Sequence, residues 1–260
     1  MTRRLHWADY RTAEFDEIDP MKTVAVLPTA AIEQHGPHLP VGVDAMIAQG
    51  MLDTVEERIG NDIDMRILPV QAVGKSNEHL FAKGTLTIPV NLAIDLWVEI
   101  GLSVARAGVK KLVIANSHGG NLDIISIVSR ELRVRESMLV AKCQWGAFGH
   151  PAGMYSTDEL RYGIHGGDVE TSLMLHFRPE LVDMSKAQTF HSSAQDVADE
   201  EVLMPTGPIS YGWIATDLGP DGVAGDASAA TAEKGAQTAR HQADGFVSLL
   251  HEMIAKPLPG

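Results

Sequence analysis

One cysteine, Cys143, occurs in 260 residues, which excludes an intramolecular disulfide. It lies in the apolar run Met138-Leu139-Val140-Ala141-Lys142-Cys143 and reads as a buried strand thiol. No run approaches the ~18 apolar residues that span a bilayer. The start, Met1 to Tyr10, has a basic pair but no apolar core of a secretion signal, so the expected location is the cytoplasm. Basic charge is also scarce. Lys and Arg number 21 against 34 Asp and Glu, a net charge of -13. That balance argues against nucleic acid and anionic membranes as partners, since basic patches supply the attraction to both. No internal repeat and no linker divides the chain, so one domain over residues 1–260 is expected. Hydrophobic residues at 45% and charged ones at 21% are ordinary for a globular protein and leave room for a sizeable core.

Strand and helix signals alternate through what remains. Thr23-Val24-Ala25-Val26-Leu27-Pro28 is a short β-branched apolar run suited to a buried parallel strand. From Asp44 the period becomes helical, with Ile47, Met51, Val55 and Ile59 four apart and Gly60-Asn61 as the stop. Residues 66–70 predict a second strand and 92–107 a second helix, stopped by Gly108. Lys111 to Asn116 is a third strand. Asn121 is placed to cap a helix with Ile124, Val128 and Leu132 on one face. Met138 to Gln144 is a fourth strand. Residues 146–162 read as irregular, 168–177 as a helix, 188–225 as extended loop and 227–255 as a final helix closed by Pro257 and Pro259. Strands alternating with helices imply βαβ units and a mostly parallel sheet covered on both faces.

The candidate chemistry begins after the first strand, in Glu33-Gln34-His35-Gly36-Pro37-His38-Leu39-Pro40-Val41-Gly42-Val43-Asp44. Ionised carboxylates and neutral imidazoles are ligands for Zn²⁺, Mn²⁺ or Fe²⁺. Asp44 could instead cap the helix it precedes, or do both. His118 follows the third strand in Asn116-Ser117-His118-Gly119-Gly120-Asn121. Ligands of open α/β sheets bind beyond the carboxyl ends of the strands, so Glu33, His35, Asp44 and His118 are expected on one rim. A second cluster is Ile164-His165-Gly166-Gly167-Asp168-Val169-Glu170. Its acids could compensate a helix dipole. Alternatively Glu170 is a ligand or proton acceptor and His165 a proton shuttle. A third cluster, Gly74-Lys75-Ser76-Asn77-Glu78-His79 with Gly84-Thr85, is either a polar turn or a pocket wall formed by Ser76 and His79.

In this order the motifs resemble the creatininase (creatinine amidohydrolase) family, with Gly222-Val223-Ala224-Gly225-Asp226 and Ala230 to Gly235 as further matching pieces. The resemblance spans most of the chain. It implies a three-layer α/β/α sandwich with a mostly parallel central sheet, two divalent metal ions (Zn, with Mn or Fe at one site) and a homohexamer. By matching position, Glu33, Asp44 and His118 would hold one ion. His35 and the shared Asp44, with Glu170, would hold the other. His165 and Ser76 match positions of the family's substrate pocket, and His79 and Tyr162 are further candidates for its lining. The chain also departs from the pattern. Creatinine-cleaving members carry an aromatic residue and a glutamate where Gly119 and Gly120 stand. They carry a Trp-Asp pair and a Glu near Arg161, Tyr162 and Ile164, and Ser117 replaces a common glycine. These differences point away from creatinine as substrate.

The function expected is hydrolysis of a C–N bond in a small amide, lactam or formamide through a metal-bound hydroxide, since a metal lowers the pKa of bound water toward ~7. His165, then Glu170, would protonate the leaving nitrogen, an imidazole having an ordinary pKa of ~6.5. The resemblance equally permits peptide-like amides, and opening of a cyclic keto-sugar or lactone-like ring is the alternative within the enzyme class. A metal-binding protein without catalysis is the alternative outside it.

Overall fold

The computed structural model describes residues 4–197, 202–207 and 209–259. Its centre is a four-stranded parallel sheet of order β2-β1-β3-β4, formed by β1 (Thr23–Thr29), β2 (Asp64–Ile67), β3 (Lys111–Asn116) and β4 (Leu139–Gln144). Every residue of β1 and β3 is buried, as their continuous apolar runs require of strands covered on both sides. Side chains alternate between two cores. Val24, Val26, Val113 and Ala115 face one; Ala25, Leu27, Leu112 and Ile114 face the other.

The first core is closed by α1 (Val43–Arg58), α5 (Asp168–Phe177) and α8 (Ala232–Ala255), through Met51, Met174 and Phe246 among others. The second is closed by α2 (Val90–Arg106) and α3 (Leu122–Glu136), through Trp97, Ile125 and Leu132. The result is the expected three-layer α/β/α sandwich.

Several local expectations shift. The second strand begins at Asp64 and ends at Ile67, short of Pro69, which has no N–H to give to a ladder. Residues 146–162 are less irregular than their composition suggests. A 3-10 turn spans Trp145–Phe148, and α4 (Thr157–Tyr162) is capped by Ser156, whose hydroxyl accepts from the Glu159 N–H. Between 188 and 225 lie the short β5 (Thr189–Phe190), α6 (Ser193–Val197) and α7 (Ala215–Leu218). β5 pairs antiparallel with β6 (Gly225–Asp226). Residues 198–201 and 208 of that stretch lie outside the described residues. The last helix starts at Ala232, with the Thr231 hydroxyl accepting from Lys234 N–H, because 227–229 form a 3-10 turn.

β1 and β3 end side by side at the register pair Thr29 and Asn116. Thr29 Oγ1 donates to Asn116 Oδ1 at 2.9 Å. Asn121 does not cap α3 with its side chain. Its amide instead donates to the Ala30 carbonyl (3.1 Å) and accepts from Lys75 N–H (3.1 Å). Three loops are thereby bound to one rim: that after β1, that after β3 and the one carrying Ser76 to His79.

Candidate active site

The rim gathers eight ionisable side chains. Glu33 is buried in the loop after β1. Its Oε1 lies 3.2 Å from His118 Nδ1, 3.5 Å from His79 Nε2 and 3.7 Å from His165 Nδ1. Its Oε2 accepts from the Ser76 hydroxyl at 2.5 Å. Asp44 sits in the first turn of α1, where Gly42 is the N-cap, so capping is not its task. Its two oxygens divide. Oδ1 lies 3.4 Å from His35 Nε2, and Oδ2 lies 3.5 Å from His118 Nδ1. Glu170, in the first turn of α5, brings Oε2 to 3.8 Å from His35 Nε2.

The imidazoles are oriented from behind. His35 Nδ1 donates to the Glu33 carbonyl (3.1 Å) and His118 Nε2 to the Lys75 carbonyl (2.9 Å). Each ring therefore turns its other nitrogen toward the carboxylates, the arrangement that fixes tautomer and aim in metal-ligating histidines. His165 Nε2 donates to the Gln34 carbonyl at 2.6 Å. Its ring lies between those of His35 (4.1 Å) and His79 (4.4 Å). The other imidazole of the first loop, His38, turns away and donates from Nε2 to the Gly166 carbonyl at 3.1 Å.

Electrostatics follow from burial and proximity. Burial works against charge on Glu33, but His118, His165 and His35 outweigh it and hold this carboxyl below its usual range. Burial also opposes the charged form of His35. Asp44, Glu170 and Glu33 overcome it and push His35 up to about 9. His118 is raised in the same way, against burial, by Glu33, Glu78 and Asp44. Burial, then Glu33, raises Asp44, and burial pushes Glu170 up to about 7. His165 is held well below its ordinary value by burial and then by His35, so it is uncharged at neutral pH.

Two of these buried atoms have no hydrogen-bond partner, His35 Nε2 and Asp44 Oδ2. Overlapping sets of three donors, among them Glu33–His35–Asp44, His35–His165–Glu170 and Glu33–Glu78–His118, have atoms within 4.8 Å of one another. Ligand atoms about 2.0–2.2 Å from one ion stand roughly 3–3.5 Å apart. The separations around Asp44 match that spacing, and the donor set of carboxylates and imidazoles suits Zn, Mn or Fe. These residues fit a divalent metal.

The family described as "Creatininase: Creatinine amidohydrolase" matches residues 8–250. The chain belongs to the creatininase family. It is 32% identical over 240 residues to the mycofactocin precursor peptide peptidase of Mycobacterium ulcerans (strain Agy99), covering 90% of this chain and 86% of that one. Over 200 residues it is 31% identical to the creatinine amidohydrolase of Pseudomonas putida, covering 70% and 73%. The solved structure "Creatininase Mn" superposes with a TM-score of 0.78 at 22% identity, covering 98% of this chain and all of that one, which establishes the shared fold.

Within this creatininase-family site, residues singled out in the sequence take different stations. Ser76 and His79 both face Glu33. Tyr162 ends α4 beneath the Arg161 guanidinium and does not line the cavity beside Glu170. Two contributors carried no signal of their own. Gln34 donates to the Gly222 carbonyl (2.6 Å), and its amide nitrogen lies 3.0 Å from His79 Nδ1. Glu78 places Oε1 3.4 Å from His118 Nε2. A β-carbon at Gly120 would stand 2.4 Å from that Oε1 and 2.5 Å from His118 Nε2. The space a side chain at 120 would need is therefore held by Glu78. A glutamate there would have been hard to foresee from a motif three residues past Lys75 in another loop.

Proposed function

We propose that this creatininase-family protein is a metal-dependent hydrolase that cleaves the C–N bond of a small amide, lactam or formamide. Glu33, Asp44 and His118 would hold one divalent ion, and His35, Asp44 and Glu170 the other. The observation that carries this reading is the division of Asp44 between His35 and His118, with Asp44 Oδ2 and His35 Nε2 buried and unpartnered. Bound divalent ions supply Lewis acidity and lower the pKa of a coordinated water.

The chain's own residues supply orientation and proton transfer. Ser76 fixes Glu33 through Oε2, leaving Oε1 toward the imidazoles. Burial raises Glu170 to about 7 in the metal-free protein, and that proton would be displaced by an ion held there. Glu170 serves in proton transfer only where it is not a ligand. His165 is the first candidate to protonate a leaving nitrogen. With Nε2 committed to the Gln34 carbonyl, only Nδ1 is free to take up a proton, and burial makes that uptake costly. The likeness to a peptide peptidase gives peptide-like amides a place early in the panel of substrates to be tried.

The test is metal analysis paired with an amide panel. Wild type is expected to bind divalent metal and to hydrolyse at least one amide, lactam or formamide above the metal-free background. Asp44→Asn and His118→Ala are expected to lose metal and turnover together. Full activity and normal metal content in either variant would refute the reading. Cleavage of a keto-sugar or lactone alone would favour the ring-opening alternative. Metal binding with no turnover would leave a binding protein.

A further inference from the structure

Gln34 stands between Glu33 and His35 in the loop after β1, and its side-chain amide is fully engaged. Oε1 accepts from the Gly36 N–H at 2.8 Å, and the amide nitrogen donates to the Gly222 carbonyl at 2.6 Å. A flipped amide would set oxygen against that carbonyl and N–H against N–H, so its orientation is fixed. An amide nitrogen carries two hydrogens. Gly222 takes one, and the other is directed at His79 Nδ1, 3.0 Å away. Gly222 has φ 64°, and a β-carbon there would stand 2.9 Å from the amide nitrogen, so glycine is what lets this carbonyl approach.

The protons of three imidazoles follow. His79 Nδ1 accepts and so carries no hydrogen, which puts the ring proton on Nε2. His165 Nε2 lies 2.6 Å from the Gln34 backbone carbonyl and must hold a proton, which leaves its Nδ1 bare. The Gln34 amide nitrogen, 3.3 Å from that Nε2, has no hydrogen left for it. His118 donates from Nε2 to the Lys75 carbonyl and keeps Nδ1 bare as well. Glu33 Oε1 therefore meets ring nitrogens of two kinds. His118 Nδ1 (3.2 Å) and His165 Nδ1 (3.7 Å) turn lone pairs toward it, while His79 Nε2 (3.5 Å) turns an N–H. A lone pair facing a carboxylate calls for a cation between them; an N–H does not. Donor atoms of Glu33, His79 and His165 lie within 4.8 Å of one another, a spacing open to an ion. The proton on His79 Nε2 closes it.

We infer that Gln34 is a positioning residue: it fixes His79 as an N–H donor to Glu33 and so keeps His79 out of the metal-ligand set. Glu33 is then held at both oxygens, by Ser76 at Oε2 and by His79 at Oε1. His165 Nδ1, with no ion shared between it and His79, keeps its lone pair for proton transfer. The inference rests on the metal-dependent reading for the purpose of this arrangement.

The experiment reads histidine tautomers by long-range proton–nitrogen NMR of the protein with isotope-labelled histidine, zinc-free and zinc-loaded. The signals lost in His79→Gln identify His79. Wild-type His79 is expected to carry its proton on Nε2 in both forms. A proton on Nδ1 instead, or zinc bound at Nε2, overturns the inference. In Gln34→Leu a His79 population protonated at Nδ1 is expected to appear, and a folded variant that keeps the wild-type tautomer alone overturns the role of Gln34. His79→Leu is expected to lower zinc affinity about 10–100-fold, as loss of a hydrogen-bonding partner behind a ligand does. His79→Gln still offers an N–H and is expected to restore most of that affinity. Equal losses in the two variants would mark His79 as a ligand and overturn the inference. This pair and the wild-type spectrum decide the matter where Gln34→Leu does not fold. No turnover is read, so the two readings fail separately. A wild type that shows the expected tautomer and binds no zinc overturns the metal-dependent hydrolase alone. Zinc binding and amide hydrolysis with the other tautomer overturn the role of Gln34 alone.

Discussion

At the scale of single residues, the site balances opposite charges among side chains that are mostly buried, Glu78 and Glu170 being half-buried. His35 is pushed up to about 9 by its carboxylate neighbours against its burial. Its folded-state pKa thus lies above the ordinary 6.5, so the stability it lends the metal-free protein is full below about pH 6.5 and is lost as pH rises through about 9. Glu170, raised to about 7 by burial, runs the same way at lower pH. Metal entry must displace these protons, so affinity for Zn²⁺ or Mn²⁺ is expected to climb across that window. Titrations in buffers of different ionisation enthalpy are expected to show proton release at pH 7 that diminishes toward pH 9. Release that is absent at pH 7 would contradict the arrangement. Ser76 acts through Glu33. Ser76→Ala is expected to lower metal affinity about 10–100-fold, the cost of losing a hydrogen-bonding partner behind a ligand. Competition with a chelator of known affinity would read it, and unchanged affinity would make Ser76 a spectator.

At the scale of elements, α5 carries Glu170 and is held in place by α8. Lys234 Nζ on α8 donates to Asp168 Oδ2 at 2.5 Å, and Ser172 Oγ donates to Asp168 Oδ1 at 2.9 Å. Asp168 is thus a tie between two helices more than a partner of the helix dipole. The same seam depends on Gly235, where a β-carbon would fall 1.9 Å from the Ser172 carbonyl oxygen. Gly235→Ala must therefore separate the helices. A loss of about 1–3 kcal/mol is expected, the usual cost of overpacking a tight contact. The urea midpoint measures it, and an unchanged midpoint would show that the seam yields freely.

At the scale of the whole molecule, large apolar side chains remain exposed along one stretch. Leu80, Phe81 and Leu86 lie in the loop before α2, and Val90, Leu92 and Leu96 follow in its first turns. Exposed apolar groups in such number often mark association surfaces. Family resemblance leads one to expect a hexamer, and this stretch is where its contacts would be sought. Sedimentation is expected to find an assembly at micromolar concentration, and the double variant Leu92→Asp, Leu96→Asp is expected to shift it toward smaller species. A stable wild-type monomer would remove the expectation. Among the described residues, no helix is long and apolar enough to cross a membrane.

Much was legible in sequence because it depends on local pattern. The apolar runs of β1 and β3 demand burial on both faces, and α1 and α3 announce themselves by their period. Loops that follow parallel strands must then meet at one rim, which is why Glu33, His35, Asp44 and His118 could be placed together. The short helix α4 was hidden because its six residues hold too few turns for a period to appear. Gln34 and Glu78 were hidden because a hydrogen bond between loops leaves no spacing in the chain. Tertiary structure alone decided that Asp44 faces two imidazoles, that Glu78 fills the space behind His118, and that Trp145 and Gln242 border one cavity. Each is a contact between elements far apart in sequence, set by how the layers pack and not by any local run of residues.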